Sequence, residues 1–310
     1  MIAIETRKLT RRFGRLMAVE DLNLQIPAGA LFGLIGPNGA GKTTALRMLA
    51  GLLEPTAGEI VLNGQITNHN WREQRRRIGY MPDFFGVYED MLVWEYLDFF
   101  ARCYDLPAAR RRQVIGELLE LVDLAEKRDD YVQTLSRGMK QRLCLAHALV
   151  HDPQILLLDE PASGLDPRAR VEMRELLREL GAMGKTVVVS SHILTELAEL
   201  CDSVGIIEKG RLVTSGPLDE MSRYMQQGRR LRLKVISDPS EVEAVLKGYA
   251  RVGQLDESDG FLEFEFSGDD KDVADLLAEL VARNVKVVSF GEVLSDLEDV
   301  FLRLTKSEVA

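Results

Sequence analysis

The segment GPNGAGKT, residues 36–43, places glycines, a lysine and a threonine at the spacing G-x-x-x-x-G-K-[ST]. Those residue types at that spacing build a loop that holds phosphate. Gly36, Gly39 and Gly41 let the backbone curl until its N–H groups point inward, with Pro37, Asn38 and Ala40 completing the turn. Lys42 supplies positive charge for β- and γ-phosphates, Thr43 a hydroxyl for Mg²⁺, and Thr44 a contact for the α-phosphate. A second segment, ILLLDEP (155–161), is an apolar run that delivers Asp159 and Glu160 to its end. Asp159 is expected to hold Mg²⁺ through water and Glu160 to polarise an attacking water. A third segment, LSRGMKQRL (135–143), reads as a serine in a short polar loop running into a helix, with no acid–base pair or metal cluster beside it in sequence. Taken alone, Ser136 is a helix N-cap.

These groups act only if secondary structure brings them together. Residues 2–9 and 22–26 read as strands, ALFGLIG (30–36) as a buried strand feeding the glycine loop, and a helix starts near Lys42 and closes at Gly51. GEIVLNG (58–64) is another strand. QILLLDE and TVVVSSH are continuous apolar strands around a helix at 168–181, which is α/β order with a buried, largely parallel sheet. Residues 86–150 change period: apolar residues recur at three and four, so a helical block is inserted in that sheet. The main domain is thus expected over 1–220 and a linker over 221–230. Beyond it, 231–305 reads as β-α-β-β-α-β, a small α+β, ferredoxin-like domain, with a last helix at 295–304.

The chain has 310 residues, a net charge of −10 and no apolar run long enough to span a membrane. Its start lacks the apolar core of a signal peptide, so a cytoplasmic location is expected. Cys103, Cys144 and Cys201 are odd in number and far apart, which suggests reduced thiols. The acidic balance, concentrated beyond residue 229, argues against nucleic acid as partner. Arginine triplets at 75–77 and 110–112 read as solvated helix faces, or as contacts to an acidic partner or lipid headgroups.

In this order the segments resemble the ATPase subunits of ATP-binding-cassette (ABC) transporters. LSRGMKQRL is similar to the family's signature loop, usually L-S-G-G-Q; it departs at Arg137 and Met139 and keeps Ser136 and Gly138. SGLD (163–166) matches the family's D-loop, and SSH (190–192) its switch histidine, His192. Phe13, in RRFG, stands where the family stacks an aromatic ring on adenine. The resemblance covers residues 1–220 and implies a P-loop ABC ATPase core that uses ATP and Mg²⁺, with His192 hydrogen-bonded to the γ-phosphate. It also implies that Ser136 and Gly138 close the ATP of a second copy, so that the ATP-bound state is a homodimer. After IGYMP the family commonly carries a Gln that reaches Mg²⁺ and the attacking water. This chain has Asp83, which either ligates the metal in that place or faces solvent as a loop residue.

The segment beyond residue 230, ending VLSDLEDVFLRLT (293–305), more loosely resembles the extension of ABC-2 type exporter ATPases for drugs, antibiotics or sodium. That likeness implies a separate membrane-spanning permease and a peripheral place on the cytoplasmic membrane face. Seven aromatic residues fall within 84–100. Most are expected in the core of the helical block, with Phe84, Phe85 and Tyr88 lining a groove for a short helix of the permease. The alternative is an ABC ATPase of translation or DNA maintenance, uncoupled from transport. A single P-loop, and no sustained heptads between it and the signature, disfavour that alternative.

Overall fold

In the computed structural model, residues 1–67, 71–84, 86, 88, 90–218, 229–236, 239–258 and 260–293 are described. The chain divides into two units, 1–216 and 217–310.

The first unit is organised by β3 (Leu31–Ile35), buried at every position. It lies in a six-stranded sheet of order β10-β9-β3-β8-β7-β6, formed with β6 (Ile78–Met81), β7 (Ile155–Asp159), β8 (Thr186–Ser191), β9 (Ser203–Glu208) and β10 (Arg211–Pro217). β3 runs parallel to both β8 and β9, and β7 runs parallel to both β8 and β6. Strands covered on both faces carry unbroken apolar runs, which is why ILLLD and TVVVS were readable as strands. In such a sheet, ligands bind beyond the carboxyl ends of the strands, where the loops gather.

A second, antiparallel sheet has the order β2-β1-β4-β5: β1 (Ile2–Phe13), β2 (Leu16–Pro27), β4 (Ala57–Leu62) and β5 (Gln65–Ile66). β1 and β2 are longer than their sequence predicts, because backbone pairing continues past the apolar alternation, with Arg11 and Arg12 of β1 opposite Val19 and Met17 of β2. Gly14, at φ 57°, turns the chain so that Phe13 pairs with Leu16. α1 (Lys42–Leu49) packs Leu46, Met48 and Leu49 into the core between the sheets.

The helical block holds α3 (Val93–Cys103), α4 (Ala108–Leu121) and α5 (Arg137–Leu149), preceded by α2 (Trp71–Arg75). β5, β6 and α2 are too short to show a period and were not predicted. The arginine triplets contribute to local joints. Arg75 donates to the Gly51 carbonyl at 2.7 Å, Arg76 pairs with Asp105 at 2.8 Å, and Arg111 pairs with Asp98 at 2.6 Å. Tyr96 is fully buried, and Phe100 stacks on His147 of α5 with ring centroids 3.6 Å apart. One turn on, His151 stacks on Tyr104 at 3.8 Å. Cys144 and Cys201 are buried free thiols, while Cys103 is exposed.

Burial pushes both histidines down to about 4; His151 adds to the fall at His147, whereas the Ile78 carbonyl and Asp152 partly oppose it at His151. An unfolded chain titrates its histidines near 6.5 and so binds more protons than the folded chain between those values. The stability from neutral histidines is therefore fully present above pH ~6.5 and is lost as pH falls toward 4. The thermal midpoint is expected to drop from pH 7 to pH 5, and the drop should be smaller in His147→Phe, which keeps the stack without the titration. Equal slopes for parent and variant would remove His147 as a cause.

The second unit contains β11 (Arg229–Val235), α8 (Pro239–Lys247), β12 (Val252–Ser258), β13 (Phe261–Phe266), α9 (Asp270–Ala282) and β14 (Val287–Val293). Its sheet order is β12-β13-β11-β14, with each neighbouring pair antiparallel. Leu231, Leu233, Phe264, Phe266, Leu276 and Leu280 form its core. α9 starts at a reciprocal cap between Asp269 and Asp272. Most of the expected linker, and the expected helix at 295–304, lie outside the described residues.

Candidate nucleotide-hydrolysis site

Three adjacent strands end at one place. β3 releases the glycine loop, β8 releases His192, and β7 releases Glu160. Glycine is required in the loop for two different reasons. A Cβ at Gly36 would strike the Ile207 carbonyl of β9, and Gly41, which caps α1, has φ 108° and faces the Ala18 carbonyl. The loop therefore sits against both sheets. Thr43 and Thr44 follow in the first turn of α1, half-buried. The N-terminus of α1 points its free N–H groups and positive dipole end at whatever the loop holds.

Lys42 is only 6% exposed. Its Nζ donates to the carbonyls of Gly36 at 2.7 Å and Pro37 at 3.3 Å, and lies 3.3 Å from Oε1 of Glu160. The other carboxylate oxygen of Glu160, Oε2, is 3.0 Å from Nδ1 of His192. Glu160 itself has φ 50°, a left-handed conformation that a side chain rarely adopts. Its N–H donates to Oγ of Ser190 at 3.0 Å, and that hydroxyl donates to Oδ1 of Asp159 at 2.7 Å. Ser190 thus links the Asp159 carboxylate to the Glu160 backbone. Its only signal in the sequence is a hydroxyl residue closing an apolar strand beside the histidine.

Asp159 is 1% exposed and its Oδ2 has no hydrogen-bond partner among the described residues. An unpaired buried carboxylate oxygen is costly unless a cation meets it. Among the described residues, no cluster of three or more His, Cys, Asp or Glu could cage an ion. One buried carboxylate with neighbouring hydroxyls is the donor set expected for Mg²⁺, which keeps waters and takes substrate phosphates. Asp83 stands exposed two residues beyond β6, whose Met81 pairs with Leu158 just before Asp159. Burial pushes up the Tyr80 phenol; the Arg47 guanidinium opposes that rise, and the negative charges of Asp159 and Asp83 add to it.

The family described as ABC transporter matches residues 19–163. Nod factor export ATP-binding protein I of Burkholderia lata is 38% identical over 99% of this chain and 98% of its own length. The chain belongs to the ATP-binding subunits of ABC transporters. Several relatives at this level are named as export ATP-binding proteins, and the chain is an ATPase subunit of the ABC exporter class. A solved ATP-binding subunit of an ABC transporter is 32% identical, with a TM-score of 0.64, and covers 71% of this chain and 92% of that one. A dimeric ATP-binding cassette in a post-hydrolysis state, bound to ADP and Pi, is 26% identical with a TM-score of 0.63, covering 69% and 98%.

The remaining ABC motifs fall in separate places. Phe13, 44% exposed, ends the first strand of the hairpin that borders the glycine loop, with the Arg11 guanidinium 4.5 Å from its ring centre. Ser136, exposed, caps α5: its Oγ accepts the Met139 N–H at 3.3 Å. The near neighbours of Gly138 are Leu165 and Ala169, on the stretch running from the D-loop into α6 (Pro167–Ala182), rather than the chain's own glycine loop. The signature loop and the glycine loop are thus built by different elements. Among the described residues no helix is long and apolar enough to cross a membrane.

Proposed function

We propose that this exporter ATPase works as an ATP-bridged homodimer that drives a separate membrane-spanning permease from the cytoplasmic face. The observation that carries the reading is the convergence of Lys42, Glu160 and His192 at three neighbouring strand ends, beside the unpartnered Oδ2 of Asp159. Without nucleotide, Lys42 neutralises Glu160. When ATP enters the loop from Gly36 to Thr44, Lys42 turns from the carbonyls of Gly36 and Pro37 to the phosphates, and Glu160 is released to act as base. Phe13 receives the adenine ring. Mg²⁺, held by Thr43, Asp159 and Asp83, would neutralise charge on the β- and γ-phosphate oxygens. Glu160 takes a proton from water as the oxygen attacks the γ-phosphorus and the bond to ADP breaks. His192, held by Glu160 beforehand, turns to hydrogen-bond the γ-phosphate. Ser136 and Gly138 of a second copy close the open side of that phosphate, so hydrolysis removes the bridge between copies.

Asp83 tests the metal part of this reading. Asp83→Asn is expected to lower ATPase several-fold and to weaken its dependence on Mg²⁺, with nucleotide binding nearly unchanged. Asp83→Gln, the commoner family residue, should keep substantial activity. Superimposable Mg²⁺ titrations of parent and Asp83→Asn would make Asp83 a solvent-facing loop residue.

The second unit serves as a ferredoxin-like accessory domain, supported by its β-α-β-β-α-β order. The permease, which selects the cargo, docks beside exposed Phe84 and Tyr88. Tyr88 packs edge-on to Phe99 at 5.7 Å, joining that surface to α3. Phe85, the third residue expected there, lies outside the described residues. A cysteine at position 88 should crosslink, in native membranes, to a cytoplasmic helix of a multi-span protein. No crosslink from any cysteine across 84–90 counts against the docking.

A further inference from the structure

Phe13 stands at the tip of the β1–β2 hairpin, one residue before Gly14 turns the chain at φ 57°. A side chain at such a tip is free to change rotamer unless something holds it. Here the Arg11 guanidinium lies over the ring, 4.5 Å from its centre. The two residues are two apart on one strand, so both side chains leave the same face. The ring is still 44% exposed, which leaves its other face open. Arg11 is itself anchored: one of its amino groups donates to the Glu54 carbonyl at 2.7 Å. Its Nε is buried without a hydrogen-bond partner among the described residues, so the ring and the Glu54 carbonyl hold the guanidinium. The backbone on either side is tied to the same segment. The Thr56 N–H donates to the Thr10 carbonyl at 2.8 Å, and the Arg12 N–H to Oγ1 of Thr56 at 3.0 Å. That segment continues directly from α1, since the N–H groups of Leu52 and Leu53 both donate to the Arg47 carbonyl in its last turn.

We infer that Arg11 is a positioning residue for the base of the nucleotide: its guanidinium backs one face of Phe13 and presets the other face for adenine. The inference rests on the role proposed above for Phe13. A guanidinium is planar and positively charged, so it stacks flat on the negative face of an aromatic ring. A ring held on one side loses less freedom when a base meets its other side. α1 adds a second constraint. Its N-terminus faces the phosphates, and the segment beyond its C-terminus holds Arg11, so one eight-residue helix sets the span between the glycine loop and the base platform. The gain therefore falls on the base and not on the phosphates. A cation near the site would also attract phosphate at long range, but that attraction would not need the ring. A ligand with phosphates and no base separates the two.

The test titrates the purified full chain, by calorimetry, with the β,γ-imido analogue of ATP and with inorganic tripolyphosphate. Arg11→Met keeps an apolar stem and removes the guanidinium. It should weaken binding of the analogue about two- to five-fold, the size of one such contact at an exposed site, and leave tripolyphosphate unchanged. In steady state its KM for ATP should rise by the same factor while kcat holds, the mark of binding lost equally from ground and transition states. Phe13→Ala should weaken the analogue at least as much, and adding Arg11→Met to it should weaken binding no further, because Arg11 acts only through the ring. Equal affinity of parent and Arg11→Met for the analogue overturns the inference. So does an equal loss for analogue and tripolyphosphate, or a loss that persists undiminished in the Phe13→Ala background. Phe13→Ala separates the two levels. If it binds the analogue as the parent does, the adenine role of Phe13 itself fails. If it loses affinity while Arg11→Met does not, only the role of Arg11 fails.

Discussion

Glu160→Gln should lower steady-state ATPase by about 100- to 10,000-fold, the range for removing a positioned general base. The substitution keeps the shape of the side chain and its reach toward His192. It removes the charge that stands 3.3 Å from Nζ of buried Lys42. Two effects then follow from one change. Hydrolysis slows because no carboxylate takes the proton from water. ATP binds more tightly, because Lys42 no longer has to leave an ionic partner before it meets phosphate. Slow hydrolysis and tighter binding together populate the bridged dimer. Gel filtration with Mg²⁺ and ATP should show the variant as a dimer under conditions where the parent returns to monomer. A variant that stays monomeric and hydrolyses at the parent rate would take the role of base away from Glu160.

Much of this site was legible because its chemistry is packed into short contiguous runs. Gly36 to Thr44 are consecutive, and Asp159 and Glu160 close an apolar strand. What sequence alone could not place is set by the sheet. Lys42, Glu160 and His192 come together only because β3, β8 and β7 are neighbours, an order unrelated to their order in the chain. Ser190 was missed for a related reason. It acts through hydrogen bonds to groups about 30 residues away in sequence. The N-terminal antiparallel sheet was seen only in part, since Arg11 and Arg12 extend β1 by backbone pairing and not by apolar alternation. β6 is four residues long, too short for a period, yet it places Asp83.

Ser136→Arg is expected to abolish hydrolysis while leaving ATP binding to the monomer intact. Ser136 lies at the exposed start of α5, on elements separate from the chain's own glycine loop, so a bulky cation there does not enter the cis site. Within the chain, the change removes a helix cap that accepts the Met139 N–H, a loss of about 1 kcal/mol. That cost shifts the thermal midpoint slightly and cannot by itself stop catalysis. In the dimer, the arginine fills the space where the partner's γ-phosphate would meet a hydroxyl and the Gly138 N–H. Mixing supplies the decisive comparison. Lys42→Ala alone should be inactive, because its own glycine loop cannot hold ATP productively. In a mixed dimer, the intact glycine loop of the Ser136→Arg chain faces the intact signature loop of the Lys42→Ala chain. One composite site is whole and the other is doubly impaired. Two inactive proteins should therefore regain ATPase when combined, to the share expected of one working site in each mixed dimer. If Ser136→Arg hydrolyses ATP unimpaired, or if no mixture of the two regains activity, each chain uses its own signature loop or none, and Ser136 is only the cap of α5.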